Sequence, residues 1–114
     1  MTGERELLEG AYRDFNARNI DAVLARMCPD VAWPNGWEGG YVHGHDGVRD
    51  YWTRQWAVLD PHVDPVEINP DNAGRWIVKV HQVVHDRDGK LLADQIVHHA
   101  YRFRDALIAR MDIE

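Results

Sequence analysis

The stretch "RWIVKVHQVVHDRDGKLLADQIVHHAYRFR", residues 75–104, predicts a long β-hairpin. Residues 75–85 and 91–104 are rich in Val and Ile, and their apolar and polar side chains largely alternate, which is the period of a strand. The Asp88-Gly89 dipeptide between them favours a tight hairpin turn. Two long antiparallel strands are therefore the best-defined element of the second half of the chain.

The turn also decides which residues of the hairpin face each other. If Asp88 and Gly89 are its two central residues, Gln82 lies opposite Gln95. A shift of one residue would change these partners, so the register matters for any site on the sheet. The face without formal charge at neutral pH is the better concave side, and it comprises Val78, Val80, Gln82, Val84, Ala93, Gln95, Val97, His99, Tyr101 and Phe103.

Shorter strands are expected on either side of the hairpin. Residues 63–69 form one, and Pro65 makes it an edge strand because proline cannot donate to a ladder. Residues 107–113 form the last, after a turn at Asp105-Ala106. In this strand we expect Ala109, Met111 and Ile113 to face inward and Asp112 to point outward.

Three helical patterns precede the strands. Apolar residues recur at three- and four-residue spacing within residues 7–15, 20–27 and 48–59. Asn19 is expected to cap the second helix, which Pro29 ends, and Asp46 to cap the third. Helices followed by an antiparallel meander predict an α+β domain, in which a curved sheet packs on three N-terminal helices and leaves a conical pocket.

Composition limits the possible partners. The 114 residues fit one domain, residues 1–114, and a net charge of −6 without clustered Lys or Arg argues against nucleic-acid and membrane partners. No apolar run is long enough to span a bilayer, and the acidic start does not resemble a signal peptide. The single cysteine, Cys28, fits the cytoplasm and is expected to be buried rather than nucleophilic.

The stretch "WPNGWEGGYVHGHDG", residues 33–47, combines glycines with large aromatic side chains. Glycines indicate a backbone that turns, and aromatic rings indicate something to cover. We expect this loop to form a lid over the pocket, with Trp33, Trp37 and Tyr41 contacting a ligand. The third helix would supply Trp52 and Trp56 to the wall of the same pocket, although all of these rings could simply belong to the core.

The segments "PDVAWPN", "HGHDGVRDYW" and "VHHAYRFRDALIARMDI" resemble the SnoaL-like group of the nuclear transport factor 2-like superfamily. The resemblance covers nearly the whole chain and implies a cone-shaped α+β fold, a ligand cavity and a homodimer. Its members include ketosteroid isomerases, polyketide cyclases, scytalone dehydratases, epoxide hydrolases and non-catalytic binding domains, so the fold alone does not determine the function. The family usually has Gly in the last turn, where this chain has Ala106.

The resemblance also places individual residues. The general-base Asp of the isomerases falls at Asn35, which cannot shuttle a proton, so steroid isomerisation is not expected. Their oxyanion-binding Tyr falls at Ala11 or Tyr12, and their second oxyanion donor falls at His99. His99 is therefore the leading acid/base candidate, with Asn35, Gln82 or Tyr12 as its orienting partner. The alternative is a core histidine whose hydrogen bonds are satisfied by Gln or Tyr.

The remaining histidines suggest a surface rather than a metal site. A zinc site needs three or four converging ligands, and adjacent His98 and His99 point to opposite faces, so we expect neither a metal nor another cofactor. The outer sheet face is interpreted as a homodimer interface, a solvated mixed face being the alternative, and it carries Ile77, His81, Val83, His85, Ile96 and His98.

Three hypotheses for the function follow. The first is a cofactor-free isomerase, cyclase, dehydratase or hydrolase acting on a small, mostly apolar molecule, with His99 as acid/base. In it, the groups that bind or polarise a substrate oxygen are Tyr12, Asn35, Gln82 and Gln95, and Val97 and Tyr101 complete the wall. The second is a non-catalytic domain that binds such a molecule, and the third is a dimerisation module whose cavity is filled by its own side chains.

Overall fold

The structure, a computed structural model, describes residues 3–36 and 38–114. Three helices pack on one curved six-stranded sheet, which confirms the predicted α+β class. The helices are α1 (Glu4–Asn16), α2 (Ile20–Leu24) and α3 (Gly44–Val58). The strands are β1 (Met27–Pro34), β2 (Tyr41–His43), β3 (Leu59–Pro70), β4 (Trp76–Asp86), β5 (Leu91–Arg104) and β6 (Leu107–Ile113).

The strands lie in the order β2-β1-β6-β5-β4-β3, so β3 is an edge strand as Pro65 predicts. Neighbouring strands are antiparallel except β1 and β6, which run parallel. The predicted antiparallel meander is confirmed for β3 to β6, whereas the parallel pairing of β1 with β6 was not predicted. Its ladder is irregular between Met27 and Ala32, and Pro29 lies within that stretch, where a missing N–H interrupts no regular pairing.

The second helix is shorter than predicted. Asn19 caps it as expected, since its side-chain oxygen accepts a hydrogen bond from the backbone N–H of Ala22. It ends at Leu24, however, and not at Pro29. The backbone carbonyl of Arg26 accepts a hydrogen bond of 2.9 Å from the N–H of Ile108, and this long-range bond joins the following residues to the sheet.

The third helix begins earlier than predicted. Pairing of Val42 with Trp33 keeps the chain extended as far as His43, and Gly44, at a φ of +74°, turns it into α3. Asp46 is therefore not the cap. It lies in the first turn of α3, where its charge is favourable at the helix N-terminus.

The predicted register of the long hairpin is correct. Gln82 pairs with Gln95, and Val78 pairs with His99. The connection is longer than a two-residue turn, and a shift between Val84 and His85 absorbs the difference. The side chain of Asp86 shapes the connection by accepting hydrogen bonds from two backbone N–H groups of the loop.

The last turn is a two-residue turn at Asp105 and Ala106, as predicted, and both residues have positive φ, +54° and +65°. In β6 a register shift follows, since Arg102 pairs with Arg110 but Phe103 pairs with Ile108. The expectation that Ala109 faces inward is therefore wrong. Ile108 takes that place and is fully buried.

The core lies between the helices and the concave side of the sheet. Its largest fully buried side chains include Trp52, Tyr101, Leu8, Met27 and Ile108. Each such side chain contributes roughly 1.5–3 kcal/mol by leaving water, so the helices are held on the sheet mainly by apolar contact. None of the helices in the described residues has the length and apolarity that a membrane crossing requires.

Candidate functional site

A cavity of about 510 Å³ lies between the helices and the concave face of the sheet. This volume is typical of small-molecule sites. Its walls comprise Ala11, Tyr12, Phe15, Val23, Met27, Trp33, Pro34, Gly36, Tyr51, Trp52, Gln55, Leu59, Pro61, Val63, Gln82, Val84, Gln95, Val97, His99, Tyr101, Ile108, Met111 and Ile113. Within residues 3–36 and 38–114, no Asp, Glu, Lys or Arg side chain lines it.

His99 is the buried polar residue of the cavity wall. It lies on the inner side of β5 and is only 8% exposed. Tyr12, on α1, places its Oη 2.7 Å from His99 Nδ1, and the hydroxyl of Tyr101 donates to Tyr12 Oη at 2.8 Å. Of the three orienting partners considered for His99, the structure supplies Tyr12.

The protonation states follow from burial. Loss of water around His99, with a smaller contribution from neighbouring His98, lowers the pKa of its imidazole from 6.5 to about 4, so the ring is neutral at pH 7. Burial also raises the pKa of the Tyr12 and Tyr101 hydroxyls well above the ordinary value, so both keep their protons.

These states fix the direction of the hydrogen bonds. Because Tyr101 donates to Tyr12, the proton of Tyr12 is directed to His99 Nδ1, which must accept. The imidazole then carries its own proton on Nε2. Within the described part of the chain Nε2 has no hydrogen-bond partner, so His99 can donate to an acceptor oxygen in the cavity.

Aromatic rings form much of the remaining wall. The ring centres of Trp33 and Trp52 lie 5.4 Å apart in an edge-to-face arrangement, and those of Phe15 and Trp52 lie 5.1 Å apart. Of the ligand-binding residues proposed from the sequence, the structure brings together at the cavity Tyr12, Trp33, Trp52, Gln82, Gln95, Val97 and Tyr101, beside His99.

Three of the proposed residues do not line the cavity. Asn35 is buried but serves its own loop, where its side-chain oxygen accepts from the Glu38 N–H at 2.7 Å and its amide donates to the Glu38 carboxylate at 3.1 Å. This hydrogen bond from Asn35, together with the Arg54 guanidinium, lowers the pKa of the Glu38 carboxyl. Asn35 therefore stabilises the loop.

Tyr41 and Trp56 are the other two. Tyr41 is exposed in β2, donates its hydroxyl to Asp112 and lies under the Arg110 guanidinium. Asp112 points away from the cavity, as expected. Trp56 stacks on Trp52 behind the cavity wall, and its indole N–H is buried without a partner in the described residues. Trp37 lies outside the described residues.

Sequence reasoning missed several wall residues, notably Tyr51 and Gln55 on α3 and Met27 at the start of β1. Gln55 donates to the Tyr51 hydroxyl at 3.4 Å. Its position in an otherwise apolar helical stripe indicates such a role, because burying a polar side chain costs free energy unless it gains a hydrogen-bond partner. Met27 was missed because the sequence pattern assigned it to the second helix.

No three His, Cys, Asp or Glu side chains of the described chain are grouped as metal ligands would be.

Comparison with known proteins agrees with this architecture. Residues 8–111 match the SnoaL-like domain, whereas no curated protein matches the chain. An NTF2-like protein of unknown function from Burkholderia pseudomallei is 23% identical with a TM-score of 0.86, over 100% of this chain and 91% of that one.

Two further solved structures are similar and hold small molecules. TerC, co-crystallised with polyporic acid, is 27% identical with a TM-score of 0.85, over 99% of this chain and 91% of that one. Rv0760c from Mycobacterium tuberculosis, in complex with estradiol-17β-hemisuccinate, is 18% identical with a TM-score of 0.82, over 96% and 92% of the two chains. At 18 and 23% identity, the Mycobacterium and Burkholderia proteins demonstrate a shared fold.

Proposed function

Because the chain belongs to the SnoaL-like domain family, we propose that its cavity binds a small, mostly apolar molecule carrying an acceptor oxygen. The observation that carries this proposal is a neutral His99, held by Tyr12 through Nδ1, in the wall of an otherwise largely apolar cavity of about 510 Å³. Apolar walls provide affinity, and one directed donor provides orientation. The complexes of TerC and of the Mycobacterium protein with small molecules support it.

A hydrogen-bonding role suits His99 better than the acid/base role expected from the sequence. A pKa of about 4 makes its imidazole a weak base at neutral pH. Passing its Nε2 proton to a substrate would draw a proton from Tyr12 and in turn from Tyr101, whose hydroxyls resist ionisation. Donation of a hydrogen bond from Nε2 requires neither step.

The second candidate function is a cofactor-free isomerase, cyclase, dehydratase or hydrolase. It is favoured by the same buried donor, because a hydrogen bond aimed at a carbonyl oxygen stabilises the negative charge that develops there when solvent water takes a proton from the adjacent carbon. Loss of one such donor typically lowers kcat by about 10²–10³. Deuterium incorporation from D2O into a bound ketone would report this chemistry, and we expect His99→Leu, which has no donor, to slow it by that factor.

Binding itself is tested by titrating the protein with estradiol and following tryptophan fluorescence. We expect wild type to bind, and Val97→Phe to bind more weakly because the larger ring projects into the cavity and obstructs it. The matched control is Val66→Phe, since Val66 is 53% exposed and lies outside the cavity wall. Binding by Val97→Phe as tight as that of wild type would contradict the proposal.

We further propose that the protein is a homodimer through its outer sheet face, and that it resides in the cytoplasm. The dimer is supported by Ile96, an aliphatic side chain that is 49% exposed on the sheet face opposite the helices. Ile96→Glu should shift the mass measured by light scattering to that of a monomer, whereas Val66→Glu should leave it unchanged.

The proposal of a cytoplasmic location is supported by the single Cys28, whose buried thiol donates to the Arg104 carbonyl.

A further inference from the structure

The cavity wall has a second polar region besides the one at His99. Gln82 on β4 and Gln95 on β5 are cross-strand partners, and both side chains line the cavity. Neither amide has a hydrogen-bond partner within residues 3–36 and 38–114. Two adjacent carboxamides, each with donors and an acceptor, are thus turned to a largely apolar space.

The two polar regions lie at opposite ends of one wall. Gln95, Val97 and His99 lie on the same face of β5, and His99 comes four positions after Gln95 in the strand. At about 3.3 Å per residue, this separation is roughly 13 Å along the strand. Exposure also changes in this direction, since Gln95 is exposed, Val97 is half-buried and His99 is buried. The glutamine pair therefore lies toward the mouth and His99 at the inner end.

Between these ends β5 presents Val97 to the cavity, and most of the other wall residues are apolar as well. A ligand that satisfied both ends would be elongated and apolar in its middle, with one oxygen at each end. The outer oxygen would be uncharged, because no Lys or Arg of the described residues lines the cavity and the chain carries a net charge of −6. A carboxylate there would gain no cation as a partner and would be repelled by the negative charge of the chain.

We infer that Gln82 and Gln95 form a second binding subsite, which selects elongated, largely apolar ligands with a hydroxyl or carbonyl oxygen at the end remote from His99. The inference rests on the proposed function, since it names the class of ligand that the cavity takes. The glutamine pair would bind the outer oxygen while His99 binds the inner one. Together they would determine the orientation in which the ligand binds.

Two probes of nearly the same shape test the inference: estradiol, with one oxygen at each end, and its 17-deoxy analogue, which has one oxygen only. Their dissociation constants are measured with wild type and with the double variant Gln82→Leu/Gln95→Leu. We expect estradiol to bind wild type roughly tenfold more tightly than the analogue, as one hydrogen bond allows. In the double variant this ratio should fall to about one.

A second variant keeps the test independent of folding. Gln95→Leu changes an exposed position, and we expect it to lower the ratio part of the way. A ratio unchanged from wild type in both variants, with both probes binding, would overturn the inference and leave the proposed function standing. Failure of both probes to bind wild type would overturn the proposed function, and the inference with it.

Discussion

The Tyr12 hydroxyl lies 2.7 Å from Nδ1 of His99, and the two residues are 87 positions apart in the chain. One belongs to the first helix and the other to the fifth strand, so the contact forms only when α1 packs on the sheet. The hydrogen bonding of His99 in the cavity wall therefore depends on how α1 packs on the sheet.

Tyr12→Phe should allow the imidazole of His99 to adopt both neutral tautomers. Without the hydroxyl, Nδ1 loses its donor, and the proton can move between the two ring nitrogens. In wild type, ¹⁵N chemical shifts of His99 should report an Nε2–H imidazole, and in the variant they should move toward a mixture. We expect a loss of about 1 kcal/mol in the free energy of unfolding. Tyr41→Phe, which removes a hydroxyl outside the cavity, should leave the His99 signals unchanged.

Burial of His99 should make the protein less stable in mild acid. The pKa of its imidazole is about 4 in the folded chain against an ordinary 6.5, so between these values the unfolded chain binds a proton that the folded chain does not. The contribution of His99 is thus unchanged above pH 6.5, falls as the pH drops from 6.5 to 4, and loses about 3 kcal/mol in total.

Urea unfolding at pH 7.5 and pH 5 measures this effect. His99→Gln should reduce the drop in stability between the two pH values, whereas His62→Gln, at an exposed histidine, should keep it. An equal drop in wild type and His99→Gln would show that His99 is not the group responsible.

Ala106→Gly should stabilise the fold. Ala106 has a φ of +65°, a conformation that costs a residue with a Cβ about 1–2 kcal/mol and glycine little. After allowing for the greater freedom of glycine in the unfolded chain, we expect a gain of about 1 kcal/mol, which raises Tm by roughly 4 °C. The reverse change at the other hairpin, Gly89→Ala at a φ of +89°, should lower Tm by a similar amount. A lower Tm for Ala106→Gly would refute the strain argument.

Asn35→Ala should loosen the loop at the cavity rim. The variant removes the oxygen that accepts the Glu38 N–H, so hydrogen exchange of the Glu38 amide should become roughly tenfold faster or more. Asn72→Ala, in the turn between β3 and β4, is the control and should not change it. Unchanged exchange at Glu38 in Asn35→Ala would mean that other contacts hold the loop.

The sequence predicts the fold where local signals agree. Alternation and the Asp88-Gly89 turn are sufficient for the long hairpin, and its register then turns Gln82, Gln95 and His99 toward the cavity. The parallel pairing of β1 with β6 is not predictable in this way, because it joins residues about 80 positions apart through backbone groups that nearly all residue types share. The inward position of Ile108 depends on a register shift that leaves no local signal.

Side-chain partners were the harder part of the site. Asn35 and Tyr41 have the chemistry of ligand-binding residues, but each is engaged elsewhere, Asn35 by Glu38 and Tyr41 by Asp112. Residue type indicates what a side chain can bind, whereas the folded structure determines which partner lies within hydrogen-bonding distance. His99 differs from these two residues, because among the described residues only its Nδ1 is engaged, by Tyr12, and its ring also faces the cavity.

The position of β6 between β1 and β5 has a consequence for biosynthesis. Before β6 has been synthesised, β1 has β2 beside it but no third strand, and the inner wall lacks Met111 and Ile113. The nascent chain therefore cannot close its sheet until the residues of β6 have left the exit tunnel. Folding should be completed after release of this segment, and the exposed edge of β1 is where a chaperone would be expected to act first.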